Sequence, residues 1–193
     1  MITLDAVRLA LSAHRPRRES PAGAHLAAVA LILVPGMDGL EALFIRRAVR
    51  AEDPWSGQVA FPGGRHDPGD IDLEATAMRE TQEELAVDLT RAERLGPLDD
   101  IRPRTHLLPP VLVRPFVYAL PHRPLLTPSA EVQSAFWVPL DRFLLPGMRR
   151  DVTLPVPGGE RTFPAYVLDQ DVIWGMTERM LQAFIKIIGD ENP

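Results

Sequence analysis

Twenty of the 193 residues are proline, and they fall at nearly every break in the apolar pattern. Proline fixes φ and carries no amide hydrogen, so it closes elements rather than continuing them. The chain is thereby confined to many short elements joined by tight loops. Its longest apolar run, "LAAVALILV" at 26–34, has the length of a strand and is well short of the ~18 residues expected of a membrane-spanning helix. With 46% hydrophobic residues, a chain of this length can bury the core of one ordinary globular domain.

Between the prolines the patterns alternate. Residues 3–13 place Leu4, Val7 and Leu11 on one helical face behind a Thr3 cap, and 14–25 has the composition of a linker. The runs 26–34 and 40–48 flank the turn "GMDG" and read as a hairpin. A short strand at 57–62 ends in a glycine pair, a helix is expected over 70–86, and three strands over 92–101, 109–120 and 131–140. Residues 160–174 read as two further short strands, and 176–189 as an amphipathic helix stopped by Gly189. Strands surrounding two or three helices make an α+β or α/β/α arrangement. The domain expected is 26–193, preceded by a helix and linker at 1–25.

The helix over 70–86 carries Glu80, Glu83 and Glu84, which fall within about 100° of one another around its axis. Ala75, Met78 and Leu85 are expected on the opposite, core-facing side. Such carboxylates repel, Glu80 and Glu84 being an i,i+4 pair, and Arg79 is the one base between Asp70 and Asp88. A solvated acidic face normally alternates sign. The other reading is a hard-cation site, with oxygen donors for Mg²⁺ or Mn²⁺ and main-chain carbonyls from the adjacent Gly63–Gly64 turn.

The stretch "GG…RETQEELAV" resembles the Nudix box, Gly-x5-Glu-x7-Arg-Glu-U-x-Glu-Glu-x-Gly-U, where U is a bulky aliphatic residue. Arg79, Glu80, Glu83, Glu84 and Val87 match its second half. Thr81 stands at an aliphatic position and Ala86 at the last glycine. The upstream half is one residue longer, so Asp70 takes the place of the first glutamate. The resemblance implies a Nudix-type α/β/α sandwich with a mixed sheet, and a hydrolase of diphosphates linked to another moiety. It implies Glu80 and Glu84 as principal ligands of Mg²⁺ or Mn²⁺, with Glu83 a third ligand or the water-activating base. The Gly63 carbonyl would complete the shell, and Arg79 would orient the carboxylates. Glu131, at the start of a later strand, is a second candidate base or a surface residue. His66 and His106 read as plain loop histidines.

Just upstream, "LFIRRAVRAEDPWSGQVAFPGG" at 43–64 resembles the signature of coenzyme A pyrophosphatases. Leu43, Arg47, Ala48, Gly57, Gln58, Val59 and Phe61 to Gly64 match it, whereas Asp53 stands where a second arginine is expected. The resemblance makes coenzyme A or a derivative the leading substrate. ADP-ribose or another nucleotide-sugar or dinucleotide is the alternative, and a catalytically silent nucleotide-sensing module a third. Arg47, Arg50, Gly64 and Arg65 are the expected substrate contacts. The partner is thus a small nucleoside diphosphate compound. With a net charge of −5 neither nucleic acid nor membrane is expected, and a homodimer is compatible. The absence of cysteine excludes a disulfide framework, and the N-terminal pattern is not that of a secretory signal, so a cytoplasmic location is expected.

Overall fold

A computed structural model describes residues 1–51, 55–103, 109–156 and 159–189. Along the chain run α1 (Leu4–Ala13), β1 (His25–Gly36), β2 (Gly39–Arg47), β3 (Val59–Ala60), β4 (Gly63–Arg65), α2 (Leu73–Leu85), β5 (Glu93–Pro97), β6 (Val111–Ala119) and β7 (Val132–Pro139). A short 3-10 helix (Leu140–Leu144) leads to β8 (Arg149–Val156), β9 (Gly159–Leu168), β10 (Asp171–Trp174) and α3 (Gly175–Gly189).

The unbroken apolar character of β1 follows from its having a layer on each side. Ala27, Leu31 and Leu33 join one core cluster with Val7 and Leu11 of α1 and Leu181 and Phe184 of α3. Ala28, Ala30 and Ile32, pointing the other way, join a second with Leu73, Ala77 and Leu85 of α2. The result is an α/β/α sandwich. Its sheet is mixed: β1 runs parallel to β6, while its other pairings are antiparallel. The segment between α1 and β1 is pinned by ion pairs from Arg17 to Asp99 and from Arg18 to Asp100.

One irregularity opens the molecule. With one edge of β1 taken by β6, the other pairs with β2 over Leu33–Gly36 and with β4 over Ala27–Val29. There β2 has swung away and pairs with β3 at Ile45 and Arg46. The two halves diverge, and a cleft enters between them.

Four expectations of detail are corrected. The strand read over 57–62 is only Val59–Ala60, and the glycine pair is itself a strand, β4, laid against β1. The strand β8 was not anticipated, because it pairs only with β9 in a separate three-stranded sheet and stays largely exposed. The helix α2 starts three residues later than expected, where the Asp72 carboxylate accepts the Ala75 amide hydrogen at 2.8 Å. Its buried face is also turned. Thr76, Thr81 and Glu84 are buried with Leu73, Ala77 and Leu85, while Ala75 and Met78 are only half-buried. Among the described residues no helix is long and apolar enough to cross a membrane.

Candidate active site

Arg79 is the hub of the acidic helix. Its guanidinium makes two bonds to Asp70 (2.9 and 3.0 Å) and single bonds to Glu80 (3.0 Å), Glu83 (3.1 Å) and the Arg65 carbonyl (3.0 Å). The Asp70 carboxylate also accepts from the Asp67 amide and the Thr76 hydroxyl. The Arg79 guanidinium holds this carboxyl well below the usual carboxylate range. Asp70 thus fixes Arg79, and Arg79 fixes two of the three glutamates.

The three glutamates part company in space. Glu84 is buried, and its Oε2 accepts the Gly63 amide hydrogen at 2.8 Å. Burial pushes its carboxyl up to about 8, against the pull of that hydrogen bond and of the Arg47 charge. Glu80 is raised by burial too, opposed by Arg79. Its carboxylate lies against Gly64, where a Cβ would come within 2.5 Å of it. Gly63 is held more tightly still: its φ is +147°, and a Cβ would meet the Ala28 carbonyl oxygen at 2.3 Å. Glu83 remains mostly exposed and does not line the cleft.

The cleft between the diverging strands has a volume of about 830 Å³. Into it the fold brings Glu80, Glu84, Glu131, Arg47, Arg50, Gly63, Gly64 and Arg65. Glu131 pairs with Arg50 at 3.0 Å, both half-exposed. That contact exists because β2 and β7 are neighbours, Ala48 donating its amide hydrogen to the Glu131 carbonyl. Arg46 is not available to a ligand, since it bonds Asp171 and the Gly57 carbonyl and so ties β2 to β10. His66 shares a hydrogen bond with the Thr76 hydroxyl at 2.9 Å. Asp53 and His106 lie outside the described residues.

Sequence reasoning did not single out Trp55, Met176, Thr177 or Met180, which also line the cleft. As a sequence, the two methionines belong to an amphipathic helix and to the stretch "IWGMTERML" at 173–181, which resembles the tail of coenzyme A pyrophosphatases. For a metal, no three acidic or histidine side chains among the described residues stand close enough to hold an ion by themselves. The residues present nonetheless fit Mg²⁺ or Mn²⁺, because Mg²⁺ in phosphate-handling sites takes one or two carboxylates and completes its shell with water and substrate oxygens. Glu80 and Glu84 are such a pair, both raised by burial, Glu84 also by the neighbouring charge of Glu80.

Residues 24–154 match the Nudix domain family. An uncharacterised protein of Schizosaccharomyces pombe is 36% identical over 131 residues, covering 65% of this chain and 40% of that protein's length. The peroxisomal coenzyme A diphosphatase of Mus musculus is 32% identical over 178 residues, covering 84% of this chain and 71% of the relative. Among solved structures, a MutT/nudix family protein from Enterococcus faecalis has a TM-score of 0.58 at 18% identity, covering 98% of this chain and 70% of that one, a likeness of fold. With the box residues gathered on α2 at the mouth of a cleft, and the family match spanning most of the sandwich, the chain belongs to the Nudix family of hydrolases.

Proposed function

We propose that the protein hydrolyses the diphosphate linkage of coenzyme A or a coenzyme A derivative, with Mg²⁺ or Mn²⁺ held by Glu80 and Glu84. The observation that carries this reading is the path of residues 43–64. The matching positions Arg47, Gln58, Phe61, Gly63 and Gly64 all line the cleft that Glu80 and Glu84 enter. The name of the mouse relative, a coenzyme A diphosphatase, supports the same substrate.

A divalent cation bound there would offset the diphosphate charge and lower the pKa of a water molecule. The chain supplies positioning. Arg79 and the Gly63 amide set the two carboxylates, and Arg47, Arg50 and Arg65 present cations to phosphate oxygens. Water attacks one phosphorus, its proton passes to a carboxylate, and the bridging P–O bond breaks to give two phosphate monoesters. Glu131 is the proton acceptor the cleft offers, because Glu83 is held outside by Arg79. The Gly63 carbonyl as a further ligand, and a cytoplasmic location, belong to the same proposal.

The test is hydrolysis of a panel of diphosphates with Mg²⁺ or Mn²⁺, products read by mass. Coenzyme A should yield 4′-phosphopantetheine and 3′,5′-ADP. A higher kcat/KM on ADP-ribose or a dinucleotide would transfer the assignment to that substrate.

A further inference from the structure

The cleft has a second half that diphosphate chemistry does not use. Ala27 is registered with Val113 and His25 with Val111 across the parallel β1–β6 pair. Alternate residues of a strand share a face, so Ala27, Val29, Val111 and Val113 form one apolar floor within the cleft. Met176 and Met180, one turn apart on α3, stand over it and belong to or pack on the same core cluster.

This half points away from the carboxylates. Glu84 is bonded to Gly63, which is registered with Val29 on the edge of β1 opposite β6. From β4 across β1 to β6 is about 10 Å at normal strand spacing. Arg47 and Arg50 sit on the far side too, beside Glu84 and Glu131 respectively. A ligand that lays its diphosphate on Glu80 and Glu84 therefore sends one flank among cations and the other across an apolar floor.

Resting on the coenzyme A reading, we propose that Met176 and Met180 with this floor bind the pantetheine arm and are the residues that select coenzyme A over ADP-ribose. The arm carries a gem-dimethyl carbon and methylene pairs, which gain from burial against such side chains. Methionine is flexible enough to follow an irregular chain. His25 and Thr177, at the borders of this half, supply polar atoms for its amides. The distal ribose of ADP-ribose would instead set several hydroxyl groups on the apolar floor between those border residues, more than two side chains can satisfy, a penalty that discriminates strongly. An adenine would meet the same difficulty along its hydrogen-bonding edge, so the nucleotide belongs on the arginine side.

The experiment uses the two product halves as inhibitors of whichever diphosphate the wild-type protein cleaves. Met176 is partly exposed, so Met176→Gln changes polarity at similar length, and Met176→Leu serves as the apolar control, with melting curves confirming that both fold. In Met176→Gln, Ki for 4′-phosphopantetheine should rise roughly tenfold, as expected from losing one to two methylenes' worth of contact. Ki for 3′,5′-ADP should not change, and Met176→Leu should resemble wild type. A rise for 3′,5′-ADP, an equal rise for both halves, or no change for either would overturn the assignment of this half. Failure of the wild-type protein to cleave coenzyme A faster than ADP-ribose would overturn the underlying reading instead, and the two inhibitor constants still decide which product half Met176 touches.

Discussion

Glu84 is where the electrostatics of this protein are most exposed to measurement. Burial holds its carboxyl up at about 8 in the folded protein, whereas in the unfolded chain it ionises in the ordinary carboxylate range. Between those limits the folded state keeps a proton that the unfolded state has lost. The stability this provides is complete below the ordinary range and is lost as pH climbs through about 8. Without metal, stability should therefore fall between pH 5.5 and 8.5 by on the order of 3 kcal/mol, and the melting temperature with it by roughly 6–12 °C for a chain of this size. Asp70 does not disturb this window, because its lowered carboxyl titrates far below it. Glu84→Gln keeps an acceptor for the Gly63 amide and removes this titration, leaving that of Glu80, which burial also raises, so its curve should be clearly shallower than that of the wild type. Mg²⁺ or Mn²⁺ held as proposed would favour the ionised form, so adding it should raise the wild-type melting temperature most at high pH. Parallel pH slopes in wild type and mutant, or an equal metal-induced gain in both, would remove Glu84 from the site.

The helix α2 and the glycine strand beside it work as one device, and each departure from the family pattern has a local solution. Thr81, at an aliphatic position, is fully buried and returns its hydroxyl to the Ala77 carbonyl at 2.7 Å, so it behaves as a small core residue. Ala86, in place of glycine, takes the left-handed conformation at φ 58° and ψ 31° that ends the helix. A side chain there costs about 1–2 kcal/mol, partly offset by the lower chain entropy of alanine. Ala86→Gly should thus stabilise the protein by about 0.5–1 kcal/mol, raising the melting temperature by roughly 1–4 °C. A lower melting temperature would contradict the strain. Gly64→Ala tests the other side of the device. Its Cβ would overlap the Glu80 carboxylate, which is a side-chain end and can swing away, so the fold should survive while activity drops at least about a hundredfold through misplacement. Full activity in a folded Gly64→Ala protein would show that Glu80 need not lie there. The carboxylates, the glycine pair and Arg79 could all be read in sequence because they lie within one local segment. The burial of Glu84 could not, since the angle at which α2 meets the sheet is decided by packing against β1 and β4, not by the helix's own pattern. Strand β8 is harder to read for a related reason: Val152, Leu154 and Val156 do alternate, but Pro155 interrupts the run and none of the strand's residues is fully buried.

Over the whole molecule, function depends on the divergence of β1 from β2, which no local pattern announces. Strand pairing brings Glu131 to Arg50 across 81 positions of sequence and lays the first turns of α3 over residues of β1 and β6. Individual strands and both flanking helices could be anticipated from periodicity, but their convergence on one cleft is a property of topology. The same topology redistributes the arginines of segment 43–64. Of these arginines, Arg47 is the one that matches the signature, and Arg47 and Arg50 are the substrate contacts expected from sequence. In the fold Arg46 is spent on Asp171, Arg47 acts on the buried Glu84, and Arg50 stands half-exposed at the mouth beside Glu131. On the proposed coenzyme A reading, a cation next to Glu84 would serve the scissile diphosphate, which coenzyme A and dephospho-coenzyme A share. One at the mouth is free to exchange a carboxylate partner for a more distant phosphate. Each charge-assisted bond to phosphate is worth about 1.5–3 kcal/mol, so Arg47→Ala should lower kcat/KM roughly ten- to a hundredfold on both compounds. Arg50→Ala should lower it by about tenfold on coenzyme A and much less on dephospho-coenzyme A. The reverse pattern, with Arg47→Ala selective for the 3′-phosphate and Arg50→Ala indifferent to it, would place the nucleotide's outer phosphate deep in the cleft and turn the ligand end for end. The pantetheine arm would then have to leave through the mouth, and the apolar floor under Met176 would lose its occupant.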